Sequence, residues 1–289
     1  MDRFGFLAQR LFNRPLMIHP RKAEVIMAAL ADRLHLARVP TVALADDGFD
    51  FSGPVEARAG RDYGYDMAGP VAVIPVQGTL VQKSGFLRPA SGMTGYDGIR
   101  QAFMAAMNDD AVEAIAFDID SPGGEVAGSF DLADDIFAAR GVKPMAAVLT
   151  EDAFSAAYLI ASAVDPARLT VPRTGGTGSI GTLCLHVDWS RALDKDGLRV
   201  TPIHFGAKKV DGYPQFELSD SAAAGLQREI DMMGELFVDT VARNRGMAAS
   251  AVKATEAGSF LGAAGVSAGL ADAVRAPDAA FRSLLAELA

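Results

Sequence analysis

The sequence has little of what metal centres, disulfide scaffolds and membrane spans require. It contains one cysteine, Cys184, in 289 residues, so no disulfide can form within the chain. Its four histidines are scattered, and none has the spacing of a metal ligand to another histidine, a cysteine or an acid. No apolar run approaches the roughly 18–20 residues that cross a bilayer. We therefore expect a soluble, intracellular protein with no metal, no cofactor and no membrane span.

Basic charge is also scarce, except at the N-terminus. The net charge of −9 argues against nucleic acid as a partner. Residues 1–45 are the exception, with seven lysines and arginines against three acids. Within them Ile26, Leu30 and Leu34 recur every four residues, which predicts an amphipathic helix over 21–36. Such a helix either docks on an acidic partner or packs on its own domain.

Residues 46–70 are rich in glycine and lack apolar periodicity, so we expect a linker between an N-terminal extension (1–45) and the main domain. From Val71 onward strand-like and helix-like segments alternate, which predicts an α/β fold with a mainly parallel sheet. The expected strands are 71–76, 112–119, 145–150, 168–171, 182–188 and 199–205. The expected helices are 97–107, 125–140, 155–164, 189–196 and a long one through 226–241.

Ser155 lies where a predicted buried strand meets a predicted buried helix. A serine there has its hydroxyl near the positive end of the helix dipole, beside an unpaired backbone N–H. This geometry suits a nucleophile with half of an oxyanion hole next to it. A helix N-cap is the alternative interpretation, because serine is a preferred capping residue.

Two glycine-rich segments accompany this serine. Asp120-Ser121-Pro122-Gly123-Gly124 follows a predicted strand and would let the backbone approach a ligand with its N–H groups exposed, as in the other half of an oxyanion hole. It is equally a common type of β-to-α turn. Gly176 to Gly181 matches the G-x-G-x-x-G pattern, but a β-rich segment follows it instead of a helix. We interpret it as a close-packed loop and not as a dinucleotide site.

The candidate bases for Ser155 are histidines and lysines. His186 and His204 lie in predicted strands and are expected to be half-buried structural residues. Lys208 and Lys209 lie in a turn-rich stretch. A lysine can accept a proton from serine only where burial lowers its pKa, and two adjacent lysines are commonly a solvated pair.

Taken together, these segments resemble the signal peptide peptidase A family of serine–lysine proteases, in particular its phage head-maturation (capsid assembly) branch. The resemblance covers about 70–275. It rests on Asp120 to Gly124, Phe154 to Ser162, Thr177 to Gly181, Gly206 to Gly212, Phe260 to Gly262 and Gly269 to Asp272. It implies a ClpP/crotonase-like spiral of βα units over 71–275, with a helical N-terminal extension and a C-terminal helix in 276–289.

The resemblance also implies roles for particular residues. Ser155 would be the nucleophile and Lys209, directly before Val-Asp, the general base. The backbone N–H groups of Gly124 and Ala156 would bind the oxyanion, with Gly123 and Ser179 in support. Two positions depart from the pattern: Phe154 replaces a small residue, and Lys208 adjoins Lys209.

The implied partners are peptide or protein substrates, with phage or prophage scaffold or capsid protein favoured because the family's membrane anchor is not recognised here. The implied setting is the host cytoplasm or the procapsid, and the implied state is a homo-oligomer in which serine and lysine come from neighbouring subunits. The alternatives are a soluble cellular protease of the same family, an acyl-CoA enzyme of the crotonase type, and a non-catalytic capsid component with a dead protease fold.

Overall fold

The computed structural model describes residues 12–31, 62–90 and 92–288, with the side chains of 28–31 outside the description. The strands in these residues are β1 (Leu16–Ile18), β2 (Asp66–Ala68), β3 (Val71–Gln77), β4 (Thr79–Val81), β5 (Met93–Gly95), β6 (Ala114–Ser121), β7 (Gly123–Glu125), β8 (Met145–Phe154), β9 (Leu169–Val171), β10 (Gly176–Gly178), β11 (Ser259–Leu261) and β12 (Ala273–Val274). The helices are α1 (Pro20–Ala31), α2 (Tyr96–Met107), α3 (Ser129–Ala138), α4 (Ala156–Ser162), α5 (Ser190–Lys195), α6 (Asp220–Arg245), α7 (Ala249–Lys253), α8 (Ala263–Ser267) and α9 (Pro277–Ala286).

The main sheet has the order β11-β10-β8-β6-β3-β2, and β9 pairs with β8 and with β12. The central pairs β3/β6, β6/β8 and β8/β10 are parallel, as the alternation of strands and helices predicts. Antiparallel strands β2 and β11 close its two ends. Pro75 of β3 is compatible with this sheet because β2 pairs only as far as Val73.

Side chains alternate between the two faces of the sheet. Ile115, Phe117 and Ile119 of β6 lie in the large core, together with side chains of α2, α3, α4 and α6. Ala114 and Ala116 lie on the other face, against Leu284 and its neighbours in α9. Helices therefore cover both faces, which explains why the central strands are apolar at nearly every position.

A smaller sheet has the order β1-β7-β4-β5. β7 directly follows β6 in the chain, so the polypeptide passes from the main sheet into the smaller sheet at the Gly123–Gly124 segment. Its outer strand β1 comes from the N-terminal extension and pairs antiparallel with β7. The extension was expected to be helical, but its first described element is this strand, and helix α1 follows it.

Most of the predicted elements are present with small shifts at their ends, but three expectations were wrong. The predicted strand at 182–188 makes only isolated bridges, at Leu183 and Leu185, and 199–205 forms no strand. Gly176–Gly178 was expected to be loop and is strand β10. Within the expected linker 46–70, residues 46–61 lie outside the description, while Asp66–Ala68 is strand β2.

Candidate active site

Ser155 occupies a strained turn between β8 and α4. Its backbone angles are φ 55° and ψ −120°, a region that residues with a side chain rarely adopt. The turn is held by the backbone on both sides, because the Ser155 N–H donates to the Gly178 carbonyl at 2.9 Å and its carbonyl accepts from Leu159 at 3.0 Å. Strain of this kind persists where the surrounding structure over-determines it, and it is common at catalytic nucleophiles.

The Ser155 hydroxyl does not act as a helix cap. The side chain makes no capping hydrogen bond, although the residue occupies the N-cap position of α4. The side chain is 1% exposed, and Oγ has no hydrogen-bond partner among the residues that the structure describes. The capping alternative was therefore wrong, and a buried hydroxyl without a partner costs stability that a structural serine would not need to lose.

The Gly123–Gly124 segment lies directly beside this turn. Gly123 has φ 90°, and a Cβ at this position would lie 2.9 Å from the Ala156 nitrogen and 2.2 Å from the Met17 carbonyl oxygen. A Cβ at Gly124 would lie 1.8 Å from the Leu80 carbonyl oxygen. No side chain fits at either position, so glycine is required here by close backbone packing. The two segments that the resemblance assigns to the oxyanion hole are therefore adjacent.

The third glycine-containing segment supports the turn from the other side. β10 pairs with the end of β8, with Gly178 in register with Phe154. Ser179, the predicted supporting residue, is buried, has φ 53° and donates its N–H to the Gly258 carbonyl at 2.8 Å. The G-x-G pattern thus serves strand packing, and β10 contains no phosphate-binding turn into a helix.

Carboxyl groups surround the end of β8. Burial raises the pKa of Asp152 to about 6, against the effect of the Gly176 N–H, which donates to its Oδ1 at 2.8 Å. The charges of Asp120 and Glu151 raise it further. Burial also raises the pKa of Asp118, which accepts from the Thr150 hydroxyl at 2.9 Å. Sequence reasoning missed Asp152, although it lies only three residues before Ser155.

The predicted base is not joined to the nucleophile within one chain. Lys208 and Lys209 both have exposed side chains in the turn-rich segment after residue 198. Neither His186 nor His204 is joined to it. His186 Nδ1 lies 2.9 Å from Asn13 Oδ1, and His204 is exposed, with Nδ1 3.0 Å from the Gly206 carbonyl oxygen. The structure brings together Ser155, Gly123, Gly124, Ala156 and Ser179, whereas Lys209 is exposed and is not hydrogen-bonded to Ser155.

Sequence reasoning also missed the N-terminal strand as part of this region. The His19 ring packs on Phe154, with 4.7 Å between ring centroids, and its Nε2 lies 3.1 Å from Ser259 Oγ. The apolar run Leu16-Met17-Ile18 after a proline was a strand signal that the helical periodicity of the following residues obscured.

The described residues contain no group of three or more histidines, cysteines, aspartates or glutamates that could hold a metal ion. In the same part of the chain, no helix is both long enough and apolar enough to traverse a bilayer.

Comparison of the chain with known proteins identifies relatives among phage and bacterial proteins. Capsid assembly protease C of Escherichia phage lambda is 38% identical over 279 residues, which is 92% of this chain and 62% of that protein. Head-tail preconnector protein GP5 of Enterobacteria phage P21 is 40% identical over 90% of this chain and 53% of its own length. A putative signal peptide peptidase SppA of Enterococcus faecium is 29% identical over 62% of this chain.

The chain thus spans less than two thirds of the length of the two phage relatives. The profile of Peptidase family S49 matches residues 138–289. This range contains Ser155, Ser179 and Lys209, and the Gly123–Gly124 segment precedes it. The chain belongs to Peptidase family S49.

Proposed function

We propose that the protein is a serine endopeptidase in which Ser155 is the nucleophile and Lys209 the general base. The observation that carries the proposal is the Ser155 hydroxyl. It is buried, lacks a hydrogen-bond partner among the described residues, and lies in a strained turn beside the glycines of the Gly123–Gly124 segment. We also relate the α/β architecture to the ClpP/crotonase-like spiral, whose backbone donors serve the same acyl chemistry.

In this mechanism Ser155 Oγ attacks the carbonyl carbon of the scissile peptide bond while its proton passes to the neutral Lys209 Nζ. The backbone N–H groups of Gly124 and Ala156 stabilise the oxyanion that forms. The carbon–nitrogen bond then breaks as Nζ returns the proton to the leaving amine, which leaves an ester on Ser155. Water then attacks the ester carbon while Lys209 accepts its proton. The bond between the carbon and Ser155 Oγ breaks, Lys209 returns the proton to Oγ, and the acid product leaves.

Within one chain Lys209 is exposed, and Ser155 Oγ has no hydrogen-bond partner among the described residues, so the two are not hydrogen-bonded to each other. We therefore place the dyad between subunits of a homo-oligomer, with Ser155 from one chain and Lys209 from its neighbour. Packing against a neighbour removes water from the amine and favours its neutral form at neutral pH. Assembly would then activate the base.

For the substrate we propose scaffold or capsid proteins of a phage or prophage, cleaved during head maturation in the host cytoplasm or within the procapsid. The support is the pair of phage relatives named for capsid assembly and head–tail connection. A cellular protease of the signal peptide peptidase type would be indicated instead by cleavage of host proteins and not of the capsid proteins encoded with it.

The test compares three variants in a peptidase assay on the assembled protein. Ser155→Ala and Lys209→Ala should each lower turnover by at least about 10³-fold, because nucleophile and base act as a unit, and the Lys208→Ala control should retain most of it. Mixing the two inactive proteins under subunit exchange should restore part of the activity. Mixed oligomers that form and remain inactive would show that the dyad is completed within one chain.

A dead protease fold would be recognised by the absence of fluorophosphonate labelling at Ser155 in assembled wild-type protein. Thioester turnover that persists in Ser155→Ala would instead indicate acyl-CoA chemistry, because that reaction uses the oxyanion donors without the serine.

A further inference from the structure

Residues 12–19 run between two edges of the molecule, with a left-handed residue at Asn13 (φ 56°) and an extended part at Leu16–Ile18. On one side the Leu16 N–H donates to the Leu183 carbonyl at 2.8 Å, and the Leu183 N–H donates back at 2.9 Å. The Asn13 N–H donates to the Leu185 carbonyl at 3.0 Å. On the other side the segment is strand β1 and pairs with β7. The segment therefore has backbone partners on both edges, a ladder with β7 on one side and isolated bridges to Leu183 and Leu185 on the other.

The register shows which groups face β7. Both backbone polar groups of Leu16 face Leu183, so those of Met17 face the opposite way, towards Gly124, with which Met17 is in register. The His19 N–H, two residues further on, donates to the Pro122 carbonyl at 2.7 Å and agrees with this alternation. The Gly124 N–H therefore faces the Met17 carbonyl oxygen.

The same oxygen borders the Ser155 turn. The position of a Cβ at Gly123 lies 2.2 Å from the Met17 oxygen and 2.9 Å from the Ala156 nitrogen, so both atoms line one small space. The Gly124 N–H, which faces this oxygen, and the Ala156 N–H are the two donors that the mechanism above assigns to the oxyanion. An N–H group that donates to the Met17 carbonyl is not free for a substrate carbonyl, so the two cannot occupy the site together.

The ends of the segment contact the rest of the site. Asn13 Nδ2 donates to the Gly212 carbonyl at 3.0 Å, in the same turn-rich stretch as Lys209. His19 packs on Phe154, the residue before Ser155. The segment thus runs from this chain's own lysine stretch, past the oxyanion segment, to the nucleophile turn.

We propose that residues 12–19 occupy the peptide-binding cleft of this protease and inhibit it, and that the substrate is an extended peptide that replaces them. The peptide would place an apolar side chain where Met17, which is fully buried in the main core, now lies. This inference rests on the proposed function for the identity of the cleft.

The segment can be destabilised through residues that lie outside the main core, although its release withdraws Met17 from that core. Leu16 and Ile18 lie in a separate cluster with Ala23, Leu183 and Leu185, apart from Met17. Leu16→Asp/Ile18→Asp should release the segment, because burying two carboxylates in this cluster is unfavourable. The matched control, Arg14→Asp/Arg21→Asp, adds the same two side chains at exposed positions. Leu16→Ser/Ile18→Ser is the milder variant to use if circular dichroism shows the first to be unfolded.

Binding is measured in the Ser155→Ala background, where no cleavage can occur, by the fluorescence anisotropy of a labelled peptide with the sequence of residues 12–19. The detached chain should bind this peptide at least about tenfold more tightly than the chain with its own segment in place, since an occupied cleft weakens apparent affinity. The control should match the undetached chain, and a peptide with aspartate in place of Met17 should not bind. Equal affinity for both chains, or no binding to either, overturns the proposal.

Labelling by a fluorophosphonate with Ser155 intact separates this inference from the function on which it rests. Faster labelling of the detached chain than of wild type supports both. If the peptide binds as expected but neither chain is labelled, the claim that residues 12–19 occupy a peptide-binding cleft stands, and the proposed catalysis is overturned. Equal labelling of both chains together with equal peptide affinity leaves the catalysis and overturns the inhibition.

Discussion

Two turns of this molecule have nearly the same backbone and different residues. Ser155 follows β8 and begins α4 with φ 55° and ψ −120°, while Gly262 follows β11 and begins α8 with φ 45° and ψ −114°. Two alanines follow each of them. Glycine adopts this conformation without steric cost, whereas serine is strained there by about 1–3 kcal/mol.

The surroundings of the two turns also differ. A Cβ at Gly262 would lie 2.5 Å from the Arg173 carbonyl oxygen, so this turn has no room for any side chain. The Ser155 turn holds a side chain whose hydroxyl makes no hydrogen bond with the described residues. Packing therefore explains the glycine, but it does not explain the serine, which is strained and unpaired. The comparison indicates that Ser155 is present for its oxygen.

The largest expected effect comes from making the two turns alike. Ser155→Gly keeps the backbone of the turn and removes the nucleophile, so turnover of a peptide substrate should fall by at least about 10³-fold. The measurement is a peptidase assay on protein shown by circular dichroism to be folded. A folded variant with near-wild-type turnover would place the nucleophile elsewhere.

The opposite exchange tests the packing at the second turn. Gly262→Ala adds both backbone strain and a clash with a carbonyl, so unfolding by denaturant should become easier by about 3 kcal/mol. Gly141→Ala is the control, because Gly141 also has positive φ (77°) but a Cβ there would meet none of the described atoms within 4 Å. It should cost only about 1 kcal/mol. Equal losses in the two variants would mean that the clash at Gly262 is relieved by movement.

Stability measurements can also detect the strain at Ser155 directly. Ser155→Gly and Ser155→Ala both lack the hydroxyl, but only glycine relieves the positive φ. Relief of the strain favours the glycine variant, whereas the lower conformational entropy of its unfolded chain favours the alanine variant. The net result should be a free energy of unfolding about 0.5–1 kcal/mol higher for the glycine variant. An alanine variant more stable than the glycine variant would contradict a strained Ser155.

An effect of similar size concerns pH and distinguishes the two turns by the residues beside them. Asp152, beside the Ser155 turn, has its pKa raised by burial to about 6, so the folded state binds its proton more tightly than the unfolded state. Its contribution is therefore lost as pH rises from about 4 to 6. Asp152→Asn can still accept from Gly176 and should gain about 1 kcal/mol over wild type between pH 4 and pH 7, after allowance for partial exposure.

This prediction is checked by denaturant unfolding of both proteins across that pH range. A constant difference between wild type and variant would mean that Asp152 titrates normally. Asp196→Asn, at an exposed carboxylate far along the chain, is the control and should show no pH-dependent gain.

Local patterns were enough to predict most of the central elements. Strands such as β6 and β8 are apolar because helices cover both faces of the sheet, and this leaves a signal within a few residues of sequence. The alternating pattern at 182–188 led to a wrong prediction of a strand, because it too is only a local signal. Alternation predicts a strand, but a strand also needs partners along its length, and here the N-terminal segment meets it only at isolated bridges.

The sequence by itself determined the candidate residues: a serine at a strand-to-helix turn, glycines after a strand, and a lysine in a polar stretch. These depend on residue type and near neighbours. Only the tertiary structure decided that the serine hydroxyl has no hydrogen-bond partner among the described residues, and that β1 lies against Gly124. The second fact depends on packing between β1 and β7, which are more than a hundred residues apart in the chain, and no local periodicity encodes which distant backbone will meet a given strand edge.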